Sequence, residues 1–294
     1  MTDAALTTRA SGAATAIGLC AIVLWSALAL LTAASGEVPP FELAALTFAI
    51  AGGFGLLYAA ARGRLGALVQ PWPVWAVGIG GLFGYHALYF SALRRAPPAE
   101  ASLISYLWPL LIVLFSALQP GERLSARHLI GATLGLIGVG ALFAGKSDGA
   151  LFSGGSWVGD ALALCSAFVW SIYSVASRRL KEAPTEAVAG FCLATAFLAA
   201  LCHFVFETTV APATARQWLA ILGLGLGPVG LAFYVWDFGV KHGDIRMLGV
   251  AAYAAPVLST LILVAAGFAP ATLALALACA LIVAGAAMAS IKRG

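Results

Sequence analysis

Apolar stretches of about 20 residues follow one another along almost the whole chain, and that is the length of one helical bilayer crossing. In lipid the backbone must satisfy its own N–H and C=O groups, so only helices or closed barrels span. A barrel strand would alternate apolar and polar residues over about ten positions. Here Ala, Leu and Gly run on without alternation. The chain is 62% hydrophobic and 10% charged, against about half and about a quarter in soluble domains. That leaves too little polar surface to cover a soluble globule. The expected fold is an all-α integral membrane protein.

Ten spans are predicted: 13–34, 41–61, 73–92, 99–118, 127–144, 157–177, 186–207, 218–240, 245–267 and 272–291. The first is longer than the 7–15-residue core of a signal peptide, and its pattern recurs later, so it is read as a mature helix. Cys20, Cys165, Cys192, Cys202 and Cys279 all fall inside apolar runs. An odd number with none in a loop argues against a disulfide framework and reads as packing.

Positive charge predicts the orientation. With an even number of spans and both termini in the cytoplasm, the inner segments hold Arg9, Arg62, Arg64, Arg123, Arg127, Arg178, Arg179, Lys181, Lys241, Arg246, Lys292 and Arg293. Those are 12 of the 16 Lys and Arg residues, and only Arg94, Arg95, Lys146 and Arg216 fall outside. The bias follows the positive-inside rule, with Arg94-Arg95 as a discordant pair. The net charge of +4 therefore reports topology, and no nucleic-acid partner is expected.

The sequence also repeats. Cys20-Ala-Ile-Val-Leu-Trp25-Ser26 matches Cys165-Ser-Ala-Phe-Val-Trp170-Ser171 at an offset of 145, and Tyr106-Leu-Trp-Pro109 matches Tyr253-Ala-Ala-Pro256 at an offset of 147. Residues 1–148 and 149–294 then form two five-helix repeats. Five is odd, so the halves are inverted relative to each other. Inverted repeats with a binding site near the midplane are a common plan of secondary transporters.

Pro109 and Pro256 lie in mid-span at equivalent places in the repeats. Each removes a helical hydrogen bond and frees the carbonyl four residues back, on Ser105 or Ala252. They are the predicted hinges. Among ionisable residues, Asp237 and Lys241 are spaced to pair along a helix near its end, as are His203 and Glu207. Asp160 suits the first turn of its helix. All three read as structural. His86 lies about 20 Å along the third span, where an ionisable group is a functional candidate. Tyr85 and Tyr89 share a face beside it, and Tyr106 and Trp108 flank Pro109. Trp25 and Trp170 are equivalent and deep, whereas Trp72, Trp75, Trp157 and Trp218 suit the interfacial belt. Tyr85, His86, Tyr89, Tyr106, Trp108 and Trp170 are the predicted substrate-binding residues, offering rings and polar tips to an amphipathic ligand. Gly225-x-Gly227-x-x-Gly230 has the letters of a dinucleotide fingerprint but no preceding strand. No zinc or nucleophile-elbow motif occurs, so no catalytic residue, metal or cofactor is expected.

Three stretches carry a family resemblance: Gly159-Asp-Ala-Leu-Ala-Leu-Cys-Ser-Ala-Phe-Val-Trp170-Ser171 with its Ser177-Arg-Arg exit, Ile130-Gly-Ala-Thr-Leu-Gly-Leu-Ile-Gly-Val139, and the run from Ala99 to Pro109. Over nearly its whole length the chain resembles the EamA type of the drug/metabolite transporter superfamily. Tyr85-His86 and Tyr106-Leu107-Trp108-Pro109 are similar to the ring-rich helices of its aromatic amino acid exporters. The resemblance implies ten helices, both ends cytoplasmic, and export of amino acids or related metabolites across a bacterial inner membrane. Residues 13–34 hold no acid, unlike the small multidrug exporters of the superfamily, which argues against proton-coupled cation export. The expected protein is an alternating-access exporter of amphipathic solutes, aromatic or bulky hydrophobic amino acids first, working as a monomer in the bilayer. The alternatives are a broad metabolite or drug exporter and an intramembrane lipid-modifying enzyme.

Overall fold

The computed structural model describes residues 3–93, 95–96, 98–119, 125–144, 157–265 and 271–290; Arg94, Arg123, Lys146, Lys292, Arg293 and the 148/149 repeat boundary lie outside them. No strand occurs among the described residues. By length and composition, six helical stretches can cross a membrane: Ser11–Thr32, Pro40–Ala61, Trp72–Leu93, Trp157–Arg179, Thr185–Phe206 and Ala215–His242. Ala126–Ala141, Ile245–Ser259 and Leu275–Met288 are shorter apolar helices.

The first half runs α1 (Asp3–Ser26), α2 (Leu28–Ala34), α3 (Pro40–Ala61), α4 (Trp72–Leu93), α5 (Pro98–Ser105), α6 (Trp108–Ser116) and α7 (Ala126–Ala144). The second runs α8 (Trp157–Arg179), α9 (Val188–Phe206), α10 (Ala215–Leu226), α11 (Ala232–His242), α12 (Ile245–Ala251), α13 (Ala254–Ala265) and α14 (Leu273–Ser290). Several junctions are breaks within one apolar run. The α5–α6 break falls at Tyr106-Leu107 and the α12–α13 break at Ala252-Tyr253, just ahead of Pro109 and Pro256. Proline explains both, since it leaves the carbonyl of Ser105 or Ala252 without its usual donor. The Ala252 carbonyl takes a tighter bond instead, from Ala255 N–H at 3.1 Å.

Two further irregularities lie outside the predicted pattern. Ala27 separates α1 from α2, and a π turn over Gly227–Leu231 joins α10 to α11. Pro228 brings no N–H to that turn, and Ala232 N–H reaches back five residues to the Gly227 carbonyl. Here two of the three glycines of the apparent dinucleotide fingerprint have a packing reason. A Cβ on Gly230 would collide with the Gly225 carbonyl, and one on Gly225 would lie 2.7 Å from Ile50.

The main helix pairings join the two halves: α3 with α9, α4 with α8, α1 with α11, and α7 with α14. Small residues allow close approach. A Cβ added to Gly239 of α11 would lie 2.5 Å from the Cα of Gly18 in α1, and Gly135 of α7 makes room for the Tyr253 ring. Large apolar side chains such as Leu57 and Phe204 point outward, 71% and 77% exposed, as a lipid-facing surface requires. Trp72, Trp157 and Trp218 are exposed too. Trp75 is half-buried and packs on Phe191, with ring centroids 5.4 Å apart.

The two ends of the bundle differ. At one end Glu207, one residue past α9, accepts hydrogen bonds from Phe41 and Glu42 N–H and so caps α3, while pairing with His203 at 3.0 Å. At the other, basic end, Arg178 donates to the carbonyls of Val240 (3.1 Å) and Gly243 (2.7 Å). Arg179 donates to Gln119 Oε1 at 3.1 Å and to the Leu118 carbonyl at 3.0 Å. Those bonds draw α6, α8 and α11 together.

Candidate solute-binding cavity

A cavity of about 140 Å³ lies between α1, α4, α8, the π turn and the two proline-broken helices. Its wall includes Tyr85, His86, Tyr89, Tyr106, Trp108 and Trp170, so all six residues predicted from depth and ring content meet in one place. Each arrives for a local reason. Tyr85 and Tyr89, one turn apart on α4, stack at 5.7 Å with 13° between their planes. His86 lies one position round the same helix, edge-on to Tyr85 at 5.1 Å and to Phe48 at 5.0 Å. Tyr106 sits in the α5–α6 break and Trp108 opens α6. Trp170 is the floor ring, 5.3 Å from Tyr85 and 6.2 Å from Trp108.

Other lining residues were missed in the sequence: Trp25, Leu28, Ser105, Pro228, Val229, Phe233 and Ala255. Trp25 carried a signal, its equivalence to Trp170 in the repeat. Its indole N–H donates to the Pro228 carbonyl at 3.1 Å, anchoring the ring to the π turn. Phe233, four residues beyond Val229 on the following helix, had none.

The polar groups here are held firmly. His86 Nδ1 lies 2.6 Å from the Leu82 carbonyl. A carbonyl only accepts, so Nδ1 carries a proton, and in the neutral imidazole Nε2 then presents a lone pair. The Tyr89 hydroxyl shares a 2.9 Å hydrogen bond with Ser102, and Ser171 donates to the Trp108 carbonyl at 3.0 Å. Among the described residues, the lining contains no Asp, Glu, Lys or Arg. It is a ring-walled chamber with hydroxyl and imidazole tips. Among the described residues no group of His, Cys, Asp and Glu is placed to hold a metal ion.

A helical bundle with a lipid-facing exterior and an amphipathic chamber inside is the plan of a polytopic membrane transporter. The chain belongs to the EamA-like transporter family, whose model matches residues 12–144 and again 157–291. It is 60% identical over 279 residues to the aromatic amino acid exporter YddG of Ancylobacter novellus, covering 95% of this chain and 97% of that one. The exporter of the same name from Escherichia coli is 26% identical, with 84% and 86% covered. The pseudopaline exporter CntI of Pseudomonas aeruginosa is 30% identical, with 76% and 77% covered. One solved crystal structure superimposes with a TM-score of 0.92 at 59% identity, covering 95% of this chain and 96% of the other. The chain is thus a multi-pass membrane protein of a transporter family.

Proposed function

We propose that this protein exports aromatic amino acids by alternating access, and that Tyr85, His86, Tyr89, Tyr106, Trp108 and Trp170 bind the solute. The observation that carries the reading is the cavity itself. Its volume of about 140 Å³ is close to that of an apolar cavity known to take one benzene ring. Rings surround it, and each ring pair with the solute contributes about 0.5–1.5 kcal/mol beyond burial. The exporter name of the relative at 60% identity supports the same solute class.

Ten crossings in two inverted five-helix repeats account for the rest of the architecture. The pairing of α3 with α9 and of α7 with α14 supports an approximate two-fold relation between halves, as does the match of one family model to both. The positive-inside rule puts the Arg178 end and both termini in the cytoplasm of a bacterial inner membrane. The cavity then faces outward, and the hydrogen-bonded basic end is the closed side.

Purified protein in liposomes tests this. Labelled phenylalanine or tryptophan should cross, in competition with unlabelled aromatic amino acids and unaffected by lysine or glutamate. Equal inhibition by diverse drugs and metabolites would favour a broad exporter instead. In intact cells a cysteine at Lys181 should stay unlabelled by an impermeant thiol reagent until the membrane is permeabilised.

Pro109 and Pro256 act as hinges, bending at the breaks over 106–107 and 252–253. In Pro109→Ala and Pro256→Ala the missing donor returns and the helices straighten. Turnover should fall by about tenfold or more while solute affinity changes less than threefold. Unchanged turnover in both would leave the prolines as packing features.

A further inference from the structure

The three helices that wall the cavity beside Trp170 continue past it and enclose a second, much smaller void. On α11, Val229, Phe233, Asp237 and Lys241 follow one another at four-residue steps, starting from the π turn, and therefore share one face. The first two line the cavity and the last two line the small void. On α8, Trp170 gives way to Tyr173 and Ser177, and on α4 Tyr85 gives way to Gly78 and Val74. The two spaces thus lie on a single axis, separated by a floor of rings in which Trp170 touches Tyr173 at 5.2 Å and Trp236 at 6.4 Å. The lower void holds about 10 Å³, no more than one water molecule's worth.

Its walls include a buried pair of opposite charges. Lys241 Nζ lies 2.8 Å from Asp237 Oδ2, with both side chains no more than 3% exposed. Thr185 donates to the same Asp237 oxygen at 2.8 Å, and Lys241 donates to the Ala183 carbonyl at 2.9 Å. Ionisable groups inside a membrane bundle mark solute pathways more often than they hold the fold together. A buried ion pair is also a poor stabiliser compared with apolar residues of the same volume. The described lining of the upper cavity offers hydroxyls and the His86 imidazole as hydrogen-bond partners, but no fixed charge to pair with an ammonium or a carboxylate.

We infer that Asp237 and Lys241 form a second solute site at the basic end, specific for the zwitterionic head of an α-amino acid. Asp237 receives the ammonium and Lys241 the carboxylate. This deepens the aromatic amino acid reading above and rests on it. In the conformation described the basic end is closed, and the two side chains neutralise each other. When that end opens, the small void widens, the pair separates, and each charge takes its counterpart on the solute. The ring then passes Trp170 into the upper cavity. With Tyr173 and Phe191 beside it, the lower site has aromatic surface for the solute's ring as well.

The test compares three solutes in liposomes: tryptophan, tryptamine (no carboxylate) and indole-3-propionate (no ammonium). Wild type should carry tryptophan at least tenfold faster than either analogue. Lys241→Gln should lose tryptophan transport tenfold or more while keeping tryptamine transport within threefold. Asp237→Asn should do the same with indole-3-propionate spared. Each single change leaves an unpaired buried charge, so Asp237→Asn/Lys241→Gln is made too. The double variant should fold, by thermal stability in detergent, and carry all three solutes at similar rates. An equal loss for all three solutes, or selectivity within twofold of wild type, would overturn the site and leave the pair as a tie between α11 and the 183–185 segment. A wild-type protein that carries no tryptophan would instead remove the functional reading on which the site rests.

Discussion

Trp170→Ala should abolish transport of phenylalanine and tryptophan, with the largest effect of any single truncation in the cavity. Trp170 is 3% exposed and packs against Trp25, Tyr85, Trp108, Tyr173, Phe233 and Trp236 at ring separations of 5.2–6.4 Å. Two losses follow from removing it. The solute loses a ring to stack on, worth about 0.5–1.5 kcal/mol, or roughly two- to tenfold in affinity. The floor between the two voids opens as well, so the cavity is no longer sealed from the basic end. Truncating a large buried ring also costs stability, about 3–5 kcal/mol, so a loss of transport in this variant alone would be ambiguous. Trp170→Phe separates the effects. It keeps an aromatic face and most of the seal, and should retain transport within about tenfold at near-normal thermal stability. Tyr58→Ala, at a residue 51% exposed on the outer surface, is the control and should do little. A folded Trp170→Ala protein with wild-type affinity and rate would show that the ring is packing alone.

What could be read from the residues in advance divides along physical lines. A proline acts on its own helix, so the breaks at Tyr106-Leu107 and Ala252-Tyr253 follow from Pro109 and Pro256 without any knowledge of neighbours. Depth is also local, because it is counted along one span, and it was enough to bring six ring-bearing residues to one cavity. What depends on a partner was not legible. Asp237 and Lys241 look like an ordinary helix pair near a span end, and their burial arises from neighbours far away in sequence: Ala183 and Thr185 of the α8–α9 connection, and residues of α4, α8 and α9. Trp75 has the position of a belt residue but finds Phe191 on a neighbouring helix. The π turn at Gly227–Leu231 has a visible cause in Gly227-Pro228, yet glycines near it serve contacts with Ile50 and with each other, and a letter pattern does not separate those uses.

His86→Phe should weaken amino acid binding by about 10- to 100-fold while leaving binding of a deaminated aromatic acid within threefold. In the neutral imidazole, Nδ1 donates to the Leu82 carbonyl at 2.6 Å, which leaves Nε2 as an acceptor. No carboxylate is among the described lining residues to meet an ammonium group, so a neutral acceptor held in a fixed direction is the next best partner. A hydrogen bond to a charged group contributes about 1.5–3 kcal/mol, which is roughly 10- to 150-fold in affinity. Phenylalanine is the informative replacement because it preserves the ring. The edge contacts with Phe48, Phe90 and Phe233, at 5.0, 5.7 and 6.0 Å, survive, so the cavity keeps its shape. The Leu82 carbonyl loses its side-chain donor but stays within the helix. Titration calorimetry with tryptophan and with indole-3-propionate reads both affinities in the same protein sample. Equal weakening for the two ligands would mean that His86 shapes the wall without touching the ammonium. No weakening for either would remove it from the site.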